Sequence, residues 1–194
     1  MTSRGKSSIA LSHRKISRRG FLAAGLAATA LCFLPGEGLA SVSKAFSFER
    51  ALSLDNIHTG EKMRTIYWQE GAYLPEALAE INYLLRDFRT GEVKDIDTDL
   101  LDLLFALQRK LDSHVAFDVI SGYRSPETNS LLHSKSDGVA KNSLHTLGMA
   151  IDIRLPGYEL KTLRSTAIDL RRGGVGYYPK SDFVHVDIGR IRYW

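Results

Sequence analysis

Apolar and polar residues alternate along Ala51-Leu52-Ser53-Leu54-Asp55-Asn56-Ile57 and again along Met63-Arg64-Thr65-Ile66-Tyr67-Trp68, the period of two that a half-buried strand requires. His58-Thr59-Gly60-Glu61-Lys62 separates the two runs, so the pair reads as a β-hairpin with His58 a solvated turn residue. From Pro75 the period lengthens. Leu78, Ile81, Leu84, Leu85 and Phe88 recur at helical steps until Gly91. Asp97-Thr98-Asp99 then caps a second helix, whose Leu100, Leu103, Leu104, Leu107 and Leu111 make a buried stripe. Val115 to Ile120 is a short apolar strand that delivers Ser121-Gly122-Tyr123-Arg124-Ser125-Pro126 to the surface, and Pro126 after Ser125 marks a capped helix start. Ser134 to Lys141 is a polar stretch bordering whatever cleft lies there. Tyr158 to Arg172 is amphipathic and stops at Gly173-Gly174, Val175 to Tyr178 forms one more strand, and Pro179-Lys180-Ser181-Asp182 turns the chain into Phe183 to Ile188. The aromatic end, Tyr193-Trp194, needs burial and is expected to pack down. Strands and helices mixed without regular βαβ alternation predict an α+β fold.

Within this order one stretch carries chemistry. Ser143-Leu144-His145-Thr146-Leu147-Gly148-Met149-Ala150-Ile151-Asp152 places a histidine and an aspartate at the two ends of a glycine-containing turn. Imidazole nitrogen and carboxylate oxygen both suit Zn2+, and a catalytic zinc takes three protein ligands with a fourth position left for water. His185, in the alternating run Phe183-Val184-His185-Val186-Asp187, supplies the third ligand if its strand lies beside that of Asp152. Strand alternation puts Asp152 on one face and Ile151 and Ile153 on the other; likewise His185 and Asp187 oppose Val184 and Val186. His145, Asp152 and His185 are therefore the expected metal site. Arg124, just beyond a strand end, is placed to clamp a substrate carboxylate, because a guanidinium bonds carboxylates through two parallel N–H groups.

The N-terminus changes how the composition is read. Residues 1–40 have a basic start (Arg4, Lys6, Arg14, Lys15, Arg18, Arg19), an apolar run from Phe21 to Leu34 and a small-x-small site at Gly38-Leu39-Ala40. Arg18-Arg19 in Ser17-Arg18-Arg19-Gly20-Phe21-Leu22 is the pair of a twin-arginine export signal, which implies the twin-arginine machinery as a partner and a periplasmic destination. The apolar run falls short of the roughly 20 residues of a membrane span, so no stable span is expected once the segment is cleaved. The whole chain has 26 basic and 22 acidic residues; residues 1–40 hold 6 and 1 of these, leaving 20 and 21. The domain from 41 to 194 is thus near neutral, with no electrostatic footprint for nucleic acid. The one cysteine of the chain, Cys32, lies in the signal, so residues 41–194 must be held by a core and not by disulfides.

The pattern Ser143-x-His145-x-x-Gly148-x-Ala150-x-Asp152 with a later His185 resembles the zinc peptidases that share the lysostaphin, D-Ala-D-Ala peptidase and hedgehog fold. The chain is most similar to their murein endopeptidase branch, the MepK or YcbK-like enzymes. That likeness runs through Asn56 to Glu61, Ile120 to Ser125, Gly138 to Lys141, Gly173 to Pro179 and Phe183 to Asp187. It implies a hedgehog or D-Ala-D-Ala peptidase-like single domain with a small central antiparallel sheet flanked by helices. It also implies a periplasmic zinc enzyme that cuts peptide cross-links of peptidoglycan, between two diaminopimelate residues in the MepK type. On this resemblance Arg124, Tyr123 and Ser143 bind substrate or hold the His145 loop. Asp187, with Asp182 second, accepts the proton of the attacking water. The alternatives are a D,D- or L,D-carboxypeptidase, a D,D-endopeptidase, or a non-catalytic zinc-containing module that binds peptidoglycan.

Overall fold

The computed structural model describes residues 48–136 and 138–194; the export signal expected over 1–40 lies outside the described residues. The hairpin forms as expected, β1 (Glu49–Asn56) against β2 (Lys62–Gln69), followed by the short β3 (Ala72–Tyr73). Helix α1 spans Pro75–Leu84 and α2 Thr98–Lys110, with the Asp97 side chain accepting from the Asp99 N–H as the N-cap. Strand β4 (Phe117–Ser121) leads to α3 (Pro126–Lys135), whose Ser125 cap accepts from the Thr128 N–H. A 3-10 turn over Leu144–Leu147 precedes β5 (Ala150–Arg154); then come α4 (Leu160–Leu170), β6 (Gly174–Tyr178), β7 (Phe183–Asp187) and β8 (Arg192–Tyr193).

All eight strands join one sheet in the order β3-β2-β1-β4-β5-β7-β6-β8. The fold is α+β, but the sheet is larger than expected and not wholly antiparallel, since β1 pairs with β4 and β6 with β8 in parallel. Helices α1, α2 and α4 pack on one face of it. Leu52, Leu54, Phe117, Val119, Ile151, Ile153, Val184 and Val186 point there, against Ile81, Leu100, Leu104, Leu107 and Leu163. Strand alternation then sends Asp152, His185 and Asp187 to the opposite face. Burial of the apolar side on the helices fixes the register, because a slip of one residue would turn these three polar side chains into the core and the aliphatics out of it.

Several local expectations are corrected. Helix α1 stops at Leu84, before Leu85 and Phe88, because its last carbonyls serve other groups: Asn56 Nδ2 donates to the Leu84 carbonyl (3.0 Å) and the Tyr123 N–H to that of Leu85 (2.8 Å). His58 is an exposed turn residue, as expected, but its ring is not free. Its ring stacks on Phe88 at 4.0 Å and its Nε2 bonds to the Ile120 carbonyl at 3.0 Å. Gly173-Gly174 does not supply the helix C-cap, which Arg171 takes at φ 51°. These glycines are instead needed for space, since a Cβ on Gly174 would lie 2.5 Å from Asp187 Oδ2.

Asp87, 1% exposed, ties the end of α1 to the loop that carries Arg124. Burial works against its ionised form, but bonds from Thr128, from the Ser125 N–H (2.9 Å) and hydroxyl, and from the Arg89 N–H (3.0 Å) outweigh it and hold the carboxyl below its usual range. A depressed folded pKa contributes stability that is present above the unfolded value of about 4 and is lost as pH falls through the folded one. The urea midpoint is therefore expected to drop below about pH 4, and Asp87→Asn, less stable at neutral pH by about 1–3 kcal/mol, should show a shallower acid loss. Urea titrations at pH 3 and 7 check this.

Candidate metal centre

His145 sits on the 3-10 turn that Ser143 opens, its side chain accepting from the His145 N–H at 3.4 Å. Gly148 closes the turn in the left-handed region at φ 71°, and a side chain there would overlap the Asp95 carbonyl. Asp152 on β5 pairs directly with His185 on β7, so two adjacent strands present neighbouring side chains on one face. The ligand atoms converge. His145 Nε2 lies 3.2 Å from Asp152 Oδ1 and 3.1 Å from His185 Nδ1, and His185 Nδ1 lies 2.8 Å from Asp152 Oδ1. All three residues are buried, and they are the group of metal-ligating type found among the described residues.

The other nitrogen of each ring is engaged by an acceptor. His145 Nδ1 donates to the Gly122 carbonyl at 2.7 Å, and His185 Nε2 to Asp187 Oδ2 at 3.0 Å. With each ring neutral, these bonds leave a bare lone pair on His145 Nε2 and another on His185 Nδ1, both facing an ionised carboxylate. Lone pairs and negative charge so close repel unless a proton or a metal ion stands among them. Burial pushes His145 towards the neutral form, while His185, although buried, is raised by Asp152 and Asp187. Burial also opposes ionisation of Asp152, but His145, His185 and Arg124 hold its carboxyl well below the usual range. The donor set fits a metal ion.

Asp187 is fully buried and belongs behind His185, not in front of it. Its Oδ1 accepts from the Gly174 N–H (3.0 Å), the Gly189 N–H (2.9 Å) and Arg192 Nη1 (3.1 Å), and its Oδ2 from Arg192 Nη2 (2.7 Å) as well as from His185. With every lone pair occupied, it has no room to accept a proton from water. That geometry argues against the expected role of Asp187 as first proton acceptor, and for a role in orienting a ligand.

Residues 44–194 match the family described as peptidoglycan L,D-endopeptidase MepK. The chain belongs to that family. It is 42% identical over 178 residues to peptidoglycan L,D-endopeptidase MepK of Escherichia coli K12, an overlap covering 92% of this chain and 97% of that protein. The protein of the same name from Shigella flexneri gives the same figures. A Haemophilus influenzae protein named "Probable peptidoglycan L,D-endopeptidase MepK" is 41% identical over 179 residues, covering 92% of this chain and 95% of its own length. This chain is thus a member of a peptidase family, and the MepK-type resemblance read in its sequence is confirmed.

In this MepK-family chain the remaining candidates fall in different places. Arg124 does line the cleft, yet its Nη2 pairs with Asp152 and its Nε donates to Ser121 Oγ at 2.8 Å, so it steadies a ligand as well as facing the opening. An irregular register between Val119 and Ser121, where β4 meets β5, re-aims the chain into the Arg124 loop. Tyr123 is not at the cleft. It is 4% exposed, its hydroxyl donates to Glu92 at 2.6 Å, and burial pushes its pKa up to about 12. Asp182 sits at φ 53° on the turn between Ser181 and Phe183, which both line the cleft, and its carboxylate bonds Arg154 at 3.2 Å.

The cleft, of about 230 Å3, also has walls that sequence reasoning missed. Trp194 donates from Nε1 to the Tyr178 hydroxyl at 2.8 Å, and its ring lies 5.3 Å from that of His185. Gly176 makes room, since a Cβ there would stand 2.7 Å from the indole. The Gly122 carbonyl and Arg192 were missed too, and neither has a signal in local spacing: one is backbone, the other reaches Asp187 from a two-residue strand.

Proposed function

We propose that this chain is a zinc-dependent L,D-endopeptidase of the periplasm, exported by the twin-arginine pathway, that cuts diaminopimelate–diaminopimelate cross-links of peptidoglycan during wall remodelling. One observation carries the catalytic reading: the two imidazole lone pairs and the Asp152 carboxylate converge within 3.2 Å. Tetrahedral zinc with bonds of about 2.0–2.1 Å needs donor atoms about 3.3 Å apart, so this trio needs almost no movement to bind it. The names of the E. coli and H. influenzae relatives support peptidoglycan as the substrate and an L,D-endopeptidase activity. No helix among the described residues is long and apolar enough to cross a membrane.

Zinc, when bound, polarises the scissile carbonyl and lowers the pKa of a bound water towards about 7. This chain's residues supply the rest. Gly122 and Asp187 hold the two rings in the ligating tautomer. Arg124 keeps one Asp152 oxygen engaged and offers its remaining N–H groups to a carboxylate or carbonyl of the peptide. Of the two acidic residues considered, Asp182 is the one left to move a proton. Its side chain, 66% exposed, bonds Arg154, two residues along β5 from Asp152, and it sits on the turn between Ser181 and Phe183, which line the cleft.

Asp182→Asn is expected to slow cleavage by about 10²–10⁴-fold with zinc content unchanged, the range for general acid–base groups. Steady-state rates beside metal analysis read both. The bond itself is tested on defined muropeptides, with products weighed: a dimer joined through two diaminopimelates should become monomers. Removal of terminal D-alanine in its place would make the enzyme a carboxypeptidase, and zinc with peptide binding but no cleavage would make it a binding module.

A further inference from the structure

Across the segment Asn142–Leu144 from the metal cleft lies a second hollow, of about 600 Å3. Asn142, Ser143 and Leu144 line both, so a molecule seated at His145, Asp152 and His185 reaches the second hollow by crossing one stretch of chain. Helix α3 forms its other side. That helix buries only Thr128 and Asn129 and leaves Leu131 47% exposed, so it contributes little to the core.

The lining has a definite chemistry. Its titratable side chains are His133 and Lys141, and no carboxylate among the described residues lines it. His133 donates from Nδ1 to the Val139 carbonyl at 2.6 Å, which leaves Nε2 for another partner. Asn129, 4% exposed, donates from Nδ2 to the carbonyls of Ala140 (3.2 Å) and Lys141 (3.0 Å), and so ties α3 to the segment that separates the hollows. Its Oδ1 is buried without a hydrogen-bond partner, a cost that a native structure keeps where something else supplies the donor.

We propose that this hollow is a second substrate subsite, which takes one of the two stem peptides of a cross-linked dimer and holds it through a carboxylate at Lys141 and His133. The proposal rests on the endopeptidase reading. Diaminopimelate has two amino and two carboxyl groups. A cross-link between two such residues therefore leaves at least one free carboxylate on each side of the scissile bond. One side has guanidinium groups within the metal cleft, at Arg124 and Arg192. The other side requires a cationic, acid-free hollow beside the cleft, which an enzyme trimming the end of a single stem would not need.

The test is steady-state cleavage and equilibrium binding of a purified diaminopimelate-linked dimer by the full protein, wild type against Lys141→Glu and Ser130→Trp. Charge reversal and filling of the hollow should each raise KM and Kd about tenfold or more with kcat nearly unchanged, because they remove binding that ground and transition states share. Zinc content should stay at the wild-type level. If wild type cuts the dimer and both variants do so with the same KM, the subsite is wrong and the endopeptidase reading stands. If kcat and zinc fall together, the variants have distorted the shared wall and the subsite is likewise overturned. If wild type neither binds nor cuts the dimer, the endopeptidase reading fails and the subsite with it.

Discussion

Asp152→Asn is expected to abolish cleavage and to weaken zinc binding by more than the roughly 10–100-fold typical of losing an outer-shell partner. The substitution keeps the shape and removes the charge. Asp152 Oδ1 stands 2.8 Å from His185 Nδ1 and 3.2 Å from His145 Nε2, so it is the anionic corner of the ligand triangle. Its other oxygen pairs with the largely buried Arg124, which in the variant faces a neutral amide. A buried guanidinium without its counter-ion destabilises by about 3–5 kcal/mol, partly offset because the buried carboxylate is gone as well. Zinc affinity by competition with a chromophoric chelator, together with a thermal melt of the metal-free protein, separates the two effects. Full zinc affinity in the variant would remove Asp152 from the ligand set.

Asp187→Asn should cost nearly as much metal affinity although Asp187 does not reach the cleft. Its Oδ2 accepts from both His185 Nε2 and Arg192 Nη2, while its Oδ1 faces two backbone N–H groups and the second arm of Arg192. An amide NH2 in either position meets donors. Where it replaces Oδ2, His185 escapes the clash by moving its proton to Nδ1, the atom that must be bare to hold a metal. The expected result is a fall in zinc affinity of about 10–100-fold or more, with kcat recovered at saturating zinc. The imidazole nitrogen chemical shifts of His185 should report the tautomer change. Unchanged tautomer and affinity would mean that Asp187 serves the fold alone.

These two aspartates also show what the sequence could reveal. Asp152 and His185 were legible because alternation on a half-buried strand leaves little choice: with Ile151, Ile153, Val184 and Val186 in the core, the ligands must share the other face. His145 was legible from the turn that Ser143 opens and Gly148 closes. The role of Asp187 was not, because its partners come from elsewhere: Arg192 from β8, and backbone N–H groups at Gly174 and Gly189. Gly173-Gly174 reads as a helix stop in one dimension and proves to be clearance for Asp187 in three. Tyr123 misled for a similar reason. A residue beside Arg124 in a loop looks exposed, but Gly122 lies against Leu85, and that close approach turns the ring inward to Glu92. The parallel pairing of β1 with β4 was hidden by distance, since two helices intervene between these strands.

The measurement that bears most directly on the metal centre is digestion of a diaminopimelate-linked muropeptide dimer by the purified protein as isolated, after chelator treatment, and after zinc is restored to the chelated sample, with products weighed. Monomers are expected in the first and third samples and intact dimer in the second. Monomers formed at the same rate after complete metal removal would contradict metal dependence.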